Sequence, residues 1–135
     1  MTLFYGVLDN ENNTLSFVNC GHDEPLWYHA SQGSISRLTQ CGLALGMLPG
    51  VVYKEGDLLG LEKDDILVFY TDGITEAMNR DKELLGAARL EAVVKKYAAG
   101  NAAALQNQVR QAVIKFQHGA PQQDDMSMII IKTKF

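Results

Sequence analysis

The chain has 135 residues, of which 47% are hydrophobic, and a formal net charge of -4, which fits one domain or most of one with enough apolar residues for a core. No apolar run is long enough to cross a bilayer, no basic segment followed by an apolar stretch marks secretion, and no Lys/Arg cluster offers nucleic acid a footprint. A cytoplasmic protein without membrane or nucleic-acid contact is therefore expected, and a phosphorylated substrate would need a bound cation, because the surface supplies no strong positive field.

Phe4 to Leu8 reads as a strand, Asp9-Asn-Glu-Asn-Asn13 as a polar turn, and Thr14 to Asn19 as a second strand with alternating faces. Gly21-His-Asp-Glu-Pro25 breaks the chain. Leu26 to His29 extends again, and Ser31-Gln-Gly33 turns it into Ser34 to Leu38, so that the first third reads as an antiparallel meander. Cys41 to Gly50 is a glycine-bearing loop whose apolar residues predict packing against the body. Val51 to Leu61 alternates and predicts a strand kinked near Gly56. Glu62-Lys-Asp-Asp65 turns into the apolar run Ile66 to Tyr70, with Asp64 and Asp65 read as turn residues.

The period then changes. Leu84, Leu85, Ala88, Leu90, Val93, Val94 and Tyr97 mark one helix face, stopped by Gly100. Asn101 is placed to cap a second helix, with Ala104, Leu105, Val109, Ala112, Val113 and Phe116 on its apolar face. Gly119-Ala-Pro121 ends it, and Met126 to Lys132 predicts the last strand. Strands, two helices, then a strand make an α+β protein with helices covering sheet. Cys20 and Cys41 have no metal-type spacing and read as buried thiols.

Asp72 carries most of the chemistry. Ile66-Leu-Val-Phe-Tyr-Thr-Asp-Gly73 runs a buried strand straight into an acid and a glycine. In Gln123-Asp-Asp-Met-Ser-Met-Ile-Ile-Ile131 the order is reversed, acids first and strand after. If the two strands lie antiparallel and adjacent, Asp72 and Asp124 converge at one end. Oxygen-only ligands suit hard cations such as magnesium or manganese. Two such ions can share and activate a water for in-line attack on phosphorus, which needs no protein nucleophile. None is visible: the chain has no Gly-x-Ser-x-Gly elbow and no Cys-His signature. The bland reading makes Asp72-Gly73 a turn and Asp124-Asp125 a loop. Asp125 reads as a further ligand or as an acceptor that fixes the loop. Glu76, in the first turn of a helix begun at Gly73, either favours that helix end or sits by a weaker cation site. His22 reads as a general acid, a phosphate contact, or a residue bonded to its own loop. His29 and His118 read as surface residues.

These motifs together resemble the bacterial SpoIIE/RsbU branch of the metal-dependent serine/threonine phosphatases (PPM type, protein phosphatase type 2C-like). Phe4-Tyr-Gly-Val-Leu-Asp9 and Leu15-Ser-Phe-Val-Asn-Cys-Gly-His22 resemble its hairpin and Asn-x-Gly-His loop. Gly42-Leu-Ala-Leu-Gly46 resembles its Gly-x-Pro-Leu-Gly loop, Tyr70-Thr-Asp-Gly-Ile-Thr-Glu76 its signature, and Asp124-Asp-Met-Ser127 its closing Asp-Asp-x-Thr. Ala44, Ser127 and Cys20 depart from the pattern. The resemblance implies an α-β-β-α sandwich with the metals at one end of its two sheets. It implies that Asp72 and Asp124 bind catalytic manganese or magnesium, two ions in a complete domain, with Asp125 in support. The implied substrate is a phosphoserine or phosphothreonine on a regulatory protein, typically an anti-sigma-factor antagonist.

The family's first metal motif, Gly-Asp-x-x-Gly-x-Gly, is not found among these residues. Residues 1–135 therefore read as a single partial phosphatase domain without that motif and its following helices. A partial or empty metal site is expected of the chain alone, with little turnover. One sheet is expected to lie bare, which favours a homodimer. The alternative is a phosphatase-like module that binds a partner protein without chemistry.

Overall fold

The computed structural model describes every residue except Gln40, Asp57 and Leu58, together with the backbone but not the side chain of Cys41. In chain order the elements are β1 (Leu3–Asp9), β2 (Thr14–Cys20), β3 (Leu26–His29), β4 (Ser34–Arg37), β5 (Cys41–Gly42), β6 (Leu59–Gly60), β7 (Ile66–Tyr70), α1 (Asp72–Thr75), α2 (Gly86–Tyr97), α3 (Ala102–Gln117) and β8 (Met128–Lys132).

Two sheets result. In the first, β2 pairs antiparallel with β1 and β6 and parallel with β5; the second has the order β4-β3-β7-β8, antiparallel throughout. The strand period explains how the second sheet joins two cores. Ile66, Val68 and Tyr70 of β7 face the helices, where they meet Leu90, Val94, Leu105, Val109 and Val113. The alternate residues Leu67 and Phe69 face the first sheet and meet Leu15 and Phe17. Phe4 stacks on Phe17 at 5.3 Å and tilts against Phe69 at 5.2 Å, tying the β1–β2 hairpin to the second sheet. The layers are thus sheet, sheet and helices, an α+β arrangement. The outer face of β1 is open: Tyr5 and Val7 are exposed, at 61% and 48%.

Local signals account for the ends of these elements. Asp9 closes the first hairpin by accepting from the Glu11 and Asn12 backbone amides at 2.8 and 3.1 Å. Asn101 caps α3 as its sequence position predicts, accepting from the Ala104 amide at 2.8 Å. His118 ends α3 in the left-handed region and is exposed. Lys132 donates to the carbonyls of Ala98 and Gly100 at 2.9 Å each, satisfying backbone left open where α2 ends.

Several sequence expectations need correction. The predicted meander is split, because β1–β2 belongs to one sheet and β3–β4 to the other, with Gly21 to Pro25 crossing between them. Of the strand predicted over Val51 to Leu61, the structure keeps only β6 among the described residues. Residues 51–56 are irregular, and Gly56 reaches the first sheet through one bond, its amide donating to Phe17 O at 2.7 Å. The loop from Gly42 to Gly50 is less covered than its composition suggests, with Met47 64% and Leu48 59% exposed. α2 begins at Gly86, so Leu84 leaves the predicted core face and is 45% exposed. β8 begins at Met128, two residues after the predicted start. His29 is half-buried, its ring 4.1 Å from that of Trp27 and its Nε2 2.8 Å from Ser36 Oγ. Cys20 is buried, as expected.

Asp65 is more than a turn residue. It is 1% exposed, and its carboxylate accepts from Trp27 Nε1, the Ala30 amide and the Glu62 amide at 2.9, 2.9 and 3.0 Å. Three donors from two segments converge on one charge, which fixes where β7 starts relative to β3.

Candidate functional site

Strand β7 ends at Tyr70, where it faces Met128 at the start of β8. The chain beyond each of these ends therefore lies on the same side of the molecule, and both acidic motifs sit there. The joint is stitched by Thr71, whose amide donates to Ser127 O at 3.1 Å and whose hydroxyl accepts from the Ser127 amide at 3.0 Å. The same hydroxyl donates to Asp125 O at 3.3 Å. Gly73 is buried directly against that carbonyl, so a Cβ there would overlap Asp125 O. Asp124 is oriented locally, its Oδ1 accepting from the Asp125 amide at 2.7 Å. Asp72, Asp124 and Asp125 are all exposed at this end.

The Asn19-to-His22 loop supplies the opposite wall. Asn19 is 2% exposed and holds His22 at both backbone groups, accepting from the His22 amide at 2.8 Å and donating to His22 O at 3.0 Å. Gly21 is in the left-handed region, and a Cβ there would come within 2.8 Å of the Ala44 nitrogen. His22 Nδ1 lies 3.4 Å from Thr2 Oγ1. His22 thus belongs to its own loop and also faces a small cleft of about 120 Å³, shared with Gly21, Asp23, Thr71 and Asp72.

Asp23 is the acid that the sequence did not single out. Burial, and next the negative charge of Asp72, push its carboxyl above the ordinary value of 3.8, against the pull of His22. Its adjacency to His22 is visible in the sequence, but its approach to Asp72 depends on how residues 21–25 cross between the sheets. Glu76 is not in the first turn of a helix, as expected, because α1 starts at Asp72 and Glu76 forms its C-terminal cap. Its amide donates to Asp72 O at 2.7 Å, and its side chain lines a second cleft next to the first.

The oxygen donors at this end suit a hard divalent cation, but no three His, Cys, Asp or Glu residues among the described ones are grouped to hold it. The donor chemistry fits such an ion; the donor number does not close a cage.

The family model described as Stage II sporulation protein E (SpoIIE) matches residues 1–134. The chain belongs to the SpoIIE family. It is 36% identical over 131 residues to Protein IcfG of Synechocystis sp. (strain ATCC 27184 / PCC 6803 / Kazusa), covering 96% of this chain and 20% of that protein. It is 24% identical over 134 residues to Phosphoserine phosphatase RsbU of Bacillus subtilis (strain 168), covering 99% of this chain and 39% of that one. The chain thus spans well under half the length of these curated relatives. Its fold is shared with the phosphatase domain of the cell fate determinant SpoIIE from Bacillus subtilis (Mn presoaked), at a TM-score of 0.76 and 16% identity, covering 100% of this chain and 57% of that one. The same fold is found in the SiaA-PP2C domain of Pseudomonas aeruginosa, at a TM-score of 0.81 and 16% identity, covering 98% of this chain and 52% of that one. Among the described residues no helix is long and apolar enough to cross a membrane.

Proposed function

We propose that residues 1–135 form part of a metal-dependent phosphatase domain that hydrolyses phosphoserine or phosphothreonine on a regulatory protein. The observation that carries this reading is the joint at Thr71 and Gly73, which sets the Asp72 and Asp124 motifs side by side at one end of β7 and β8. Asp72 and Asp124 would hold manganese or magnesium, with Asp125 in support. The bound metal would lower the pKa of a water and neutralise phosphoryl charge. The chain's own part is to present these carboxylates on strand ends held by Thr71 and Ser127, and to hold His22 through Asn19 at the cleft wall. The remaining oxygen ligands would come from outside these residues, in an adjoining part of the same domain. The bare outer face of β1 supports the same view, since it offers a place for that part or for a second copy of the chain. Membership of the SpoIIE family supports an anti-sigma-factor antagonist as the kind of substrate and the cytoplasm as the setting.

Asp72→Asn in the full-length protein, with manganese, should lower hydrolysis of p-nitrophenyl phosphate by about a hundredfold or more. A wild-type rate in that variant would remove Asp72 from the reaction. The incomplete donor set also favours a second reading, a binding module without chemistry. That reading predicts no hydrolysis by the full-length wild type at any manganese concentration, with retained binding of the phosphoprotein.

A further inference from the structure

Beside the small cleft at Asp72 lies a larger one of about 430 Å³. The two share His22 and Asp23, so a group bound at Asp72 has its neighbours in the larger cleft. Asp23, Glu24 and Glu76 give this cleft three carboxylates, against the guanidinium of Arg37 and the imidazole of His22. Arg37 is already committed: its Nε and Nη2 lie 2.8 and 2.7 Å from Glu91 Oε1. Its charge also reaches Glu24 and Tyr70, but with Glu91 already paired to it one guanidinium cannot balance the remaining carboxylates, and the cleft keeps an excess of negative charge.

A second observation points to a ligand. Tyr70 lines the cleft and is 5% exposed, yet its hydroxyl makes no hydrogen bond among the described residues. No fully enclosed polar side-chain atom in the described structure lacks a partner, so this hydroxyl is not sealed in the core; it opens on the cleft. A neutral phenol oxygen can accept a bond from a cationic head group. Leu84, 45% exposed, gives the same cleft an apolar wall. An apolar wall beside carboxylates and a hydroxyl matches a side chain with an aliphatic stem and a positive tip.

We propose that this cleft receives a lysine or arginine side chain of the substrate, flanking the phosphorylated residue. The proposal rests on the phosphatase reading above and adds a substrate preference to it. The stem lies along Leu84 and the head group meets Asp23, Glu24 and Glu76, with Tyr70 as acceptor.

The test uses the full-length protein with manganese and two phosphoserine peptides that differ only in carrying Arg or Glu beside the phosphoserine. p-Nitrophenyl phosphate, which has no flanking residue, is the control. The Arg peptide should have a kcat/KM about tenfold higher, chiefly through KM, as expected of two or three partly exposed charge pairs. Glu24→Gln and Tyr70→Phe, both close in shape to the native residues, should each narrow that gap several-fold. Equal values for the two peptides, or a gap unchanged in both variants, would overturn the proposal while leaving the phosphatase reading intact. Failure to hydrolyse p-nitrophenyl phosphate would refute the phosphatase reading, and this preference with it.

Discussion

Gly73 stands where no side chain fits. A methyl group there meets the Asp125 carbonyl, so Gly73→Ala must push the Asp124-Asp125 segment away from Asp72. We expect a loss of about 1–3 kcal/mol in urea denaturation, the usual cost of overpacking. Wild-type stability would mean that the segment yields freely. Asp65→Ala strands the donors of Trp27, Ala30 and Glu62 and should cost about 3 kcal/mol or more by the same measurement. Asp9 gives a pH prediction. Its bonds to the Asn12 side chain, then to the Asn12 and Glu11 amides, hold its carboxyl below the ordinary 3.8. A depressed folded-state value adds stability above the unfolded one, and that contribution is lost as pH falls from 3.8 towards the folded value. Asp9→Asn should flatten the change of urea midpoint with pH in that window and leave the rest of the curve in place. At this scale the sequence marked two acids that abut apolar strands, Asp72 and Asp124, and their segments do adjoin at one end of β7 and β8. Asp65 abuts one too, but its burial depends on Trp27 and Ala30 arriving from far along the chain. Asp23 and Tyr70 became part of the cleft only through the crossing at residues 21–25.

At the scale of elements, the helices were legible because their signals are local. Asn101 precedes the apolar spacing of α3 and caps it, so Asn101→Ala should lower stability by about 1 kcal/mol in thermal or urea unfolding. An unchanged midpoint would show that water or a neighbour satisfies the Ala104 amide equally well. Strands were harder to read. Alternation over Val51 to Leu61 satisfies the strand pattern, but pairing needs a neighbour, and among the described residues of that stretch only Leu59 and Gly60 pair with β2 as a strand. The hairpins β1–β2 and β3–β4 were each foreseeable, whereas their division between two sheets was not. Turn chemistry fixes a hairpin's register, but it does not decide which sheet the hairpin joins.

For the molecule as a whole, the exposed face of β1 sets an expectation about association. Tyr5 and Val7, with Leu3 at 40%, make an apolar row on an edge strand. The isolated 135-residue chain should show an apparent mass that rises with concentration in light scattering. With that face covered by the adjoining part of the domain proposed above, the protein should remain monomeric. A strictly monomeric short chain would indicate that this face needs no cover. The unequal cores have a different consequence. Among the described residues, thirteen buried side chains lie in the cluster beneath the helices and five in the one between the sheets. Amide exchange should therefore be graded, with the β1–β2 hairpin unfastening in small excursions while β7 stays closed until global unfolding. The strand that delivers Asp72 would then be among the last parts of the protein to take up deuterium.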